Sequence, residues 1–331
     1  MHSVCRISFK TVAIAWVVAC ASCSSMSREA ASALATKGQD AASAYATSVN
    51  TTKAELDTYV EGQYLIAPLT DRDEPSASML KSINEVQSAL SLRAQMMMQL
   101  AETYRAFGNL ANYDAAAQVN QAMVNLSGAV NAYGAAVSPG STPISGTASS
   151  TAGEVGALLA GAEQSRRIRQ ASALIRTQQT KIGPLLEKEK TTLKNVQDEI
   201  VRGSRDTELA LWDAGFADPS PILAAQLGQL GLQFEPADYQ HHFDALSKSD
   251  RANFRSAIGS VVRYRAQRQA ALQDEILDQT VDGLSALIGE HEKLEQGKDL
   301  NLPALTAHVT QMRAFVDELN ASTQNGGCAK Q

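Results

Sequence analysis

The sequence predicts an all-α protein: an elongated antiparallel bundle of long, coiled-coil-like helices with a small irregular helical cap. Three observations carry this. Apolar side chains recur at spacings of three, four and seven along most of the chain, the period of a packed helix face. Aromatic residues make up only 5% and prolines number only 9, while Ala, Gln, Ser and Leu dominate, as long helices require. No segment reads as a convincing strand, and no fixed repeat of solenoid length stands out.

The first helical pattern runs from Ser27 to about Gln63, with Tyr45, Val49, Leu56 and Val60 on one face, and ends at Ala67-Pro68. After Asp71-Arg72-Asp73-Glu74, Pro75 suits a first helical turn, and the acidic residues suit the positive end of the helix dipole. Ile83, Leu90, Met97 and Tyr104 then recur every seven residues. The pattern loosens at Gly108-Asn109 and Asn112-Tyr113-Asp114 before resuming with Val119, Met123, Leu126, Val130, Tyr133 and Val137. Read as one bent rod from Ser76, this segment is about 90 Å long at 1.5 Å per residue.

Residues 138–152 are rich in Ser, Thr, Gly and Pro and read as a flexible loop or linker. The next helix carries Ile168, Ile175 and Ile182 at a seven-residue repeat, and Gly183-Pro184 predicts a kink or a break near Ile182. From 203 to 248 Gly, Pro and Asp become common, which predicts the cap. Ser249-Asp250 opens another long helix, faced by Phe254, Ile258, Val261, Leu272, Ile276, Leu284 and Ile288. Asn301 and Pro303 start the last one, and residues 323–331 form a flexible tail. The division is therefore 28–137 for the N-terminal long helices and 153–322 for the C-terminal ones.

The N-terminus has a different character. A basic start with Arg6 and Lys10, an apolar run from Thr11 to Ala19 and small residues before Cys20 make a secretory signal over 1–19. That run is too short for a membrane span, which needs about 20 apolar residues. Val17-Val18-Ala19-Cys20 resembles the lipobox of bacterial lipoproteins. The resemblance implies that Cys20 becomes the lipid-bearing N-terminus, with 20–27 as the tether. Cys23 is the alternative, but it has Cys20 where an aliphatic residue is expected. Neither cysteine is followed by Asp, so the resemblance implies an outer-membrane protein facing the periplasm.

With Cys20 lipidated, Cys23 and Cys328 remain as a candidate disulfide; two unpaired or intermolecularly paired thiols fit the sequence equally. A net charge of −6, spread along the chain, argues against nucleic acid and against electrostatic adhesion to anionic lipid.

Catalytic and metal motifs do not emerge. There is no phosphate loop, GxSxG elbow, HExxH or paired CxxC, so no enzyme activity, cofactor or metal is expected. His241-His242 with Asp244 lacks a third ligand, since adjacent helical residues point about 100° apart. His291 lies seven residues after Leu284 and reads as a hydrogen-bonded core or boundary histidine. Two arginine arrays, Arg166, Arg167, Arg169 and Arg176, then Arg251, Arg255, Arg263, Arg265 and Arg268, read as solvated faces paired with acidic neighbours.

Trp212, Phe216, Phe234, Tyr239 and Phe243 cluster in the cap and are the candidate partner-binding residues; core closure is the alternative role. The segment 126–162 is rich in Gly, Ala and Ser; Gly128, Gly134, Gly156 and Gly161 suggest close helix approach and a membrane-inserting hairpin. Neither arm reaches the roughly 18 consecutive apolar residues of a span. The sequence thus favours a lipid-anchored structural, scaffold or accessory protein of an envelope assembly, with an unidentified protein partner. Membrane insertion, or a small ligand or metal inside the bundle, are the alternatives.

Overall fold

The computed structural model describes residues 10–69, 74–113, 115–137, 163–216 and 245–326, with 220, 224, 227–228 and 230–233 between the last two. Side chains are described from residue 28 onward, apart from 191–201, 204, 213 and 322–326. The described residues form helices and turns and no strand. The helices are α1 (Lys10–Leu69), α2 (Ala77–Asn112), α3 (Ala116–Val137), α4 (Gln164–Asp213), α5 (Lys248–Glu295) and α6 (Leu302–Gly326). The all-α bundle predicted from the spacing is what the chain forms.

Helix starts follow from local polar chemistry. Ser76 caps α2, its Oγ accepting from the Met79 N–H at 3.2 Å, so Pro75 stands just outside the helix rather than in its first turn. Ser247 caps α5 reciprocally: its Oγ accepts from the Asp250 N–H at 3.2 Å and its hydroxyl donates to the Asp250 carboxylate at 2.6 Å. Asn301 caps α6 through the Ala304 N–H at 3.4 Å, with Pro303 in the first turn, and Glu290 accepts from the Asn301 N–H at 2.7 Å.

Helix ends use left-handed glycines. Gly215 (φ 78°) lets the Phe216 N–H reach the Leu211 carbonyl and its own N–H reach Trp212. Gly297 (φ 68°) closes α5 in the same way onto Lys293 and Leu294.

The chain divides into two compact units: unit 1 is Met1–Thr47, Leu92–Lys188 and Asp278–Arg313, and unit 2 is Ser48–Ser91, Glu189–Leu277 and Ala314–Gln331. In unit 1, Leu34, Met97, Leu100, Phe107, Leu126, Val130, Leu287 and Val309 are buried. Ile168, Ile175 and Ile182, the predicted seven-residue seam, are fully buried. Covering each such side chain contributes about 1.5–3 kcal/mol.

In unit 2, Leu56 and Tyr59 pack with Met79, Ile83 and Val86. A second cluster there joins Ile258 and Val262 to Leu209, Trp212, Phe254 and Val261.

The structure corrects several sequence expectations. The 76–137 segment is not a continuous rod: it breaks at Tyr113 to Ala115 and folds back as a helical hairpin. Thr103 donates to the Ala122 carbonyl at 3.3 Å, and Asn109 Nδ2 donates to Gln118 Oε1 at 3.0 Å across it. Ala115 starts the return by accepting from the Gln118 and Val119 N–H groups.

Of the kink or break expected near Ile182, the break does not occur: α4 is helical throughout Gln164–Asp213 with Pro184 inside it. Nor does α4 give way to irregular structure at Gly203. The Tyr59 ring lies against Gly203, and Gln63 Nε2 donates to Thr207 Oγ1 at 3.0 Å, so packing holds the helix past the compositional change.

Candidate functional site

Unit 1 contains a buried polar cluster built from three helices. Tyr104 projects from α2, Ser172 and Gln179 from α4 and His291 from α5, all with no solvent exposure. Gln179 Nε2 donates to Tyr104 Oη at 2.7 Å, which leaves the phenol proton for His291 Nε2 at 3.0 Å. With Nε2 accepting, the neutral imidazole carries its proton on Nδ1 and donates it to Ser172 Oγ at 2.7 Å. The Ser172 hydroxyl then faces the His291 carbonyl at 3.4 Å.

Burial, reinforced by the nearby Arg176 charge, pulls the His291 pKa down to about 3. Burial likewise holds the Tyr104 phenol above its ordinary range. The pair therefore stays neutral at physiological pH. Phe107 packs its ring 5.9 Å from the imidazole. Arg176 itself turns outward and forks onto Glu295, with Nε–Oε1 at 2.9 Å and Nη2–Oε2 at 3.1 Å, and reaches Glu292 at 3.3 Å. The expectation for His291 holds, and so does the acidic pairing of Arg176.

A second buried polar element of unit 1 is Arg93, whose Nη1 donates to Tyr45 Oη at 3.3 Å while its guanidinium lies 6.0 Å from the centre of the Tyr133 ring. A void of about 20 Å³ lined by Tyr45, Met97, Leu100, Thr280, Leu284 and Met312 has room for about one water. None of the His291 cluster lines it. An open groove of about 400 Å³ is lined by Arg28, Glu29, Ser32, Ala33, Thr36, Ala111 and Asn112.

In unit 2, Glu55 on α1 faces α5, receiving Gln269 Nε2 at 2.5 Å and Gln273 Nε2 at 2.6 Å on its two oxygens. Burial raises its pKa to about 7, and the two amide donors only partly offset that. Sequence reasoning placed Tyr104 on an apolar seam rather than in a polar cluster, and did not single out Glu55, Ser172 or Gln179. Their partners are far away in the chain, and only an alignment of helix faces would have joined them.

The predicted partner-binding residues separate. Trp212 is half-buried, 6.3 Å from Phe254 in an edge-on pair, and belongs to the unit 2 core. Phe216 is 64% exposed just past the end of α4. Phe234, Tyr239 and Phe243 lie outside the described residues, as do His241, His242 and Asp244. So do the side chains of Cys20 and Cys23, and Cys328 altogether. In the second arginine array, Arg268 pairs with Glu318 at 2.7 Å.

Of the 126–162 segment only the α3 part is described, and Leu126, Ser127, Ala129, Val130, Tyr133 and Gly134 are buried in unit 1. Gly128 faces open space and Gly134 meets Leu185 at ordinary contact distance, so neither makes the close approach predicted for it. Among the described glycines the tightest approaches are at Gly38 and Gly203, against the rings of Tyr104 and Tyr59, with looser ones at Gly62 against Thr207 and Gly108 against Ala35. Gly156 and Gly161 lie outside the described residues.

Among the described residues, no helix is long and apolar enough to cross a membrane, and no group of three or more His, Cys, Asp or Glu side chains comes together. Comparison of the chain with protein-family models, with curated proteins and with solved structures found no match.

Proposed function

We propose that this chain is a lipid-anchored envelope protein, held through Cys20 at the periplasmic face of an outer membrane, that works as a scaffold or accessory factor by contact with another protein. The observation that carries the reading is the Val17-Val18-Ala19-Cys20 lipobox, which lies within α1 shortly before Ala31 and Leu34, where that helix packs into the bundle. Two features of the packing support it. The polar groups with the most chemical potential, Tyr104, Ser172 and His291, are spent on joining helices. Large apolar side chains are instead left on the surface of unit 2: Phe216, Leu230, Leu232 and Tyr264 are all more than half exposed.

Membrane insertion of 126–162 draws no support from α3, whose apolar face is already committed to the unit 1 core. The test has two arms. Palmitate labelling should be lost in Cys20→Ser and kept in Cys23→Ser. A photo-crosslinking side chain at Phe216 or Tyr264, used in intact cells, should give a discrete adduct to one envelope protein. Substrate turnover by the purified lipid-free chain, lost on mutating a defined pocket, would sink the contact reading.

A further inference from the structure

The groove of unit 1 lies between Arg28, Ser32 and Thr36 on α1 and Ala111 and Asn112 at the end of α2. The turn after α2 therefore stands level with the Arg28 to Thr36 stretch of α1. Its first residue, Tyr113, is 74% exposed. Gln164, at the start of α4, pins this turn by donating to the Leu110 carbonyl and, at 3.4 Å, to the Tyr113 carbonyl. Eight residues separate Arg28 from Cys20, about 12 Å along a helix at 1.5 Å per residue. An N-terminal lipid thus brings this end of unit 1, and the groove, within a headgroup layer's reach of the bilayer.

We infer that the groove and Tyr113 form a seat for the membrane surface, with a zwitterionic phosphatidylethanolamine headgroup as the occupant of the groove; this rests on the lipid-anchor reading. The chemistry is matched on both charges. Arg28 offers a cation to the phosphate, Glu29 an anion to the ammonium, and Ser32, Thr36 and Asn112 line the groove between them. Tyr113 has the amphipathic ring favoured at the membrane–water interface. The near-balance of the pair also explains why no concentrated basic patch is needed for the contact. The seat would fix the orientation of unit 1 rather than supply its attachment, which the acyl chains already provide.

The test uses the full lipidated chain in vesicles of phosphatidylethanolamine and phosphatidylglycerol carrying headgroup-proximal spin-labelled lipid. Trp212→Phe removes the one mature tryptophan, and Tyr113→Trp or, as a control within unit 1, the 47% exposed Met98→Trp supplies a probe. The Tyr113→Trp signal should be quenched about two-fold more than the Met98→Trp signal, as for a side chain in the interfacial layer. Arg28→Ala with Glu29→Ala should reduce that difference while palmitate labelling persists. Equal quenching of the two probes in palmitate-labelled protein overturns this inference alone. Absence of palmitate label overturns the anchor reading and this inference with it.

Discussion

Tyr104 and His291 meet in the centre of unit 1 with ring centroids 5.7 Å apart and the phenol oxygen 3.0 Å from Nε2, and together they fasten α2, α4 and α5. The phenol is at once the acceptor for Gln179 and the donor for His291, so it sets the direction of every hydrogen bond in the cluster. Because these groups are fully buried, water cannot replace a lost partner.

Tyr104→Phe should therefore cost more than one ordinary hydrogen bond. It keeps the ring but leaves Gln179 Nε2 and His291 Nε2 facing a hydrocarbon edge, and each unsatisfied buried group costs about 1–3 kcal/mol. Urea denaturation should show a loss of about 2–4 kcal/mol, the lower end applying if His291 changes tautomer. A loss near zero would mean that the cluster contributes nothing beyond its packing.

His291 and Glu55 give the two units opposite responses to pH. The folded-state pKa of His291 lies near 3, below the usual 6.5, so the unfolded chain binds the extra proton; its contribution is complete above pH 6.5 and is lost as pH falls toward 3. That of Glu55 lies near 7, above the usual 4.5, so the folded chain binds the extra proton. Its burial is costless below pH 4.5 and increasingly destabilising as pH rises to 7. Between pH 4.5 and 6.5 the two slopes oppose each other. Glu55→Gln should remove the falling component, raising stability above pH 7 by at most about 3 kcal/mol and leaving it little changed near pH 4. Thermal melts of both proteins across pH 4 to 8 check the sign, and parallel curves would exclude Glu55 as the source.

What the sequence made legible was periodic and local. Ile168, Ile175 and Ile182 declared a buried seam by their spacing, and His291 declared itself by standing seven residues after Leu284. Its partners did not, because Tyr104 is 187 positions away and Ser172 is 119. A serine or tyrosine on a helix gives no local sign of which distant face it meets. The reversal at Tyr113 to Ala115 was missed because the apolar period continues on both sides of it, and a tight turn can preserve the count while reversing the direction. Glycine was misread for a related reason. Its density around 126–162 suggested close helix contact, whereas the contacts depend on which glycine faces a ring, and that is a tertiary fact.

Glycine substitution turns that last point into a measurement. In a helix interior Gly→Ala ordinarily stabilises by roughly 0.5–1 kcal/mol, because alanine loses less backbone entropy on folding. Gly128→Ala should follow the rule, since an added Cβ at this exposed site on α3 meets nothing within 4 Å. Gly38→Ala should reverse it, because the same Cβ on α1 would lie 2.2 Å from Tyr104 Cε1, a side chain that Gln179 and His291 hold in place. Displacing the ring would also break the buried cluster, so overpacking and lost hydrogen bonds add, for a loss of about 2–4 kcal/mol. Tyr104→Leu in the Gly38→Ala background should remove the clash. The double variant should then lose less than the sum of the two single losses, a coupling of about 1 kcal/mol or more. Strict additivity would show that Gly38 is not required for the ring's approach.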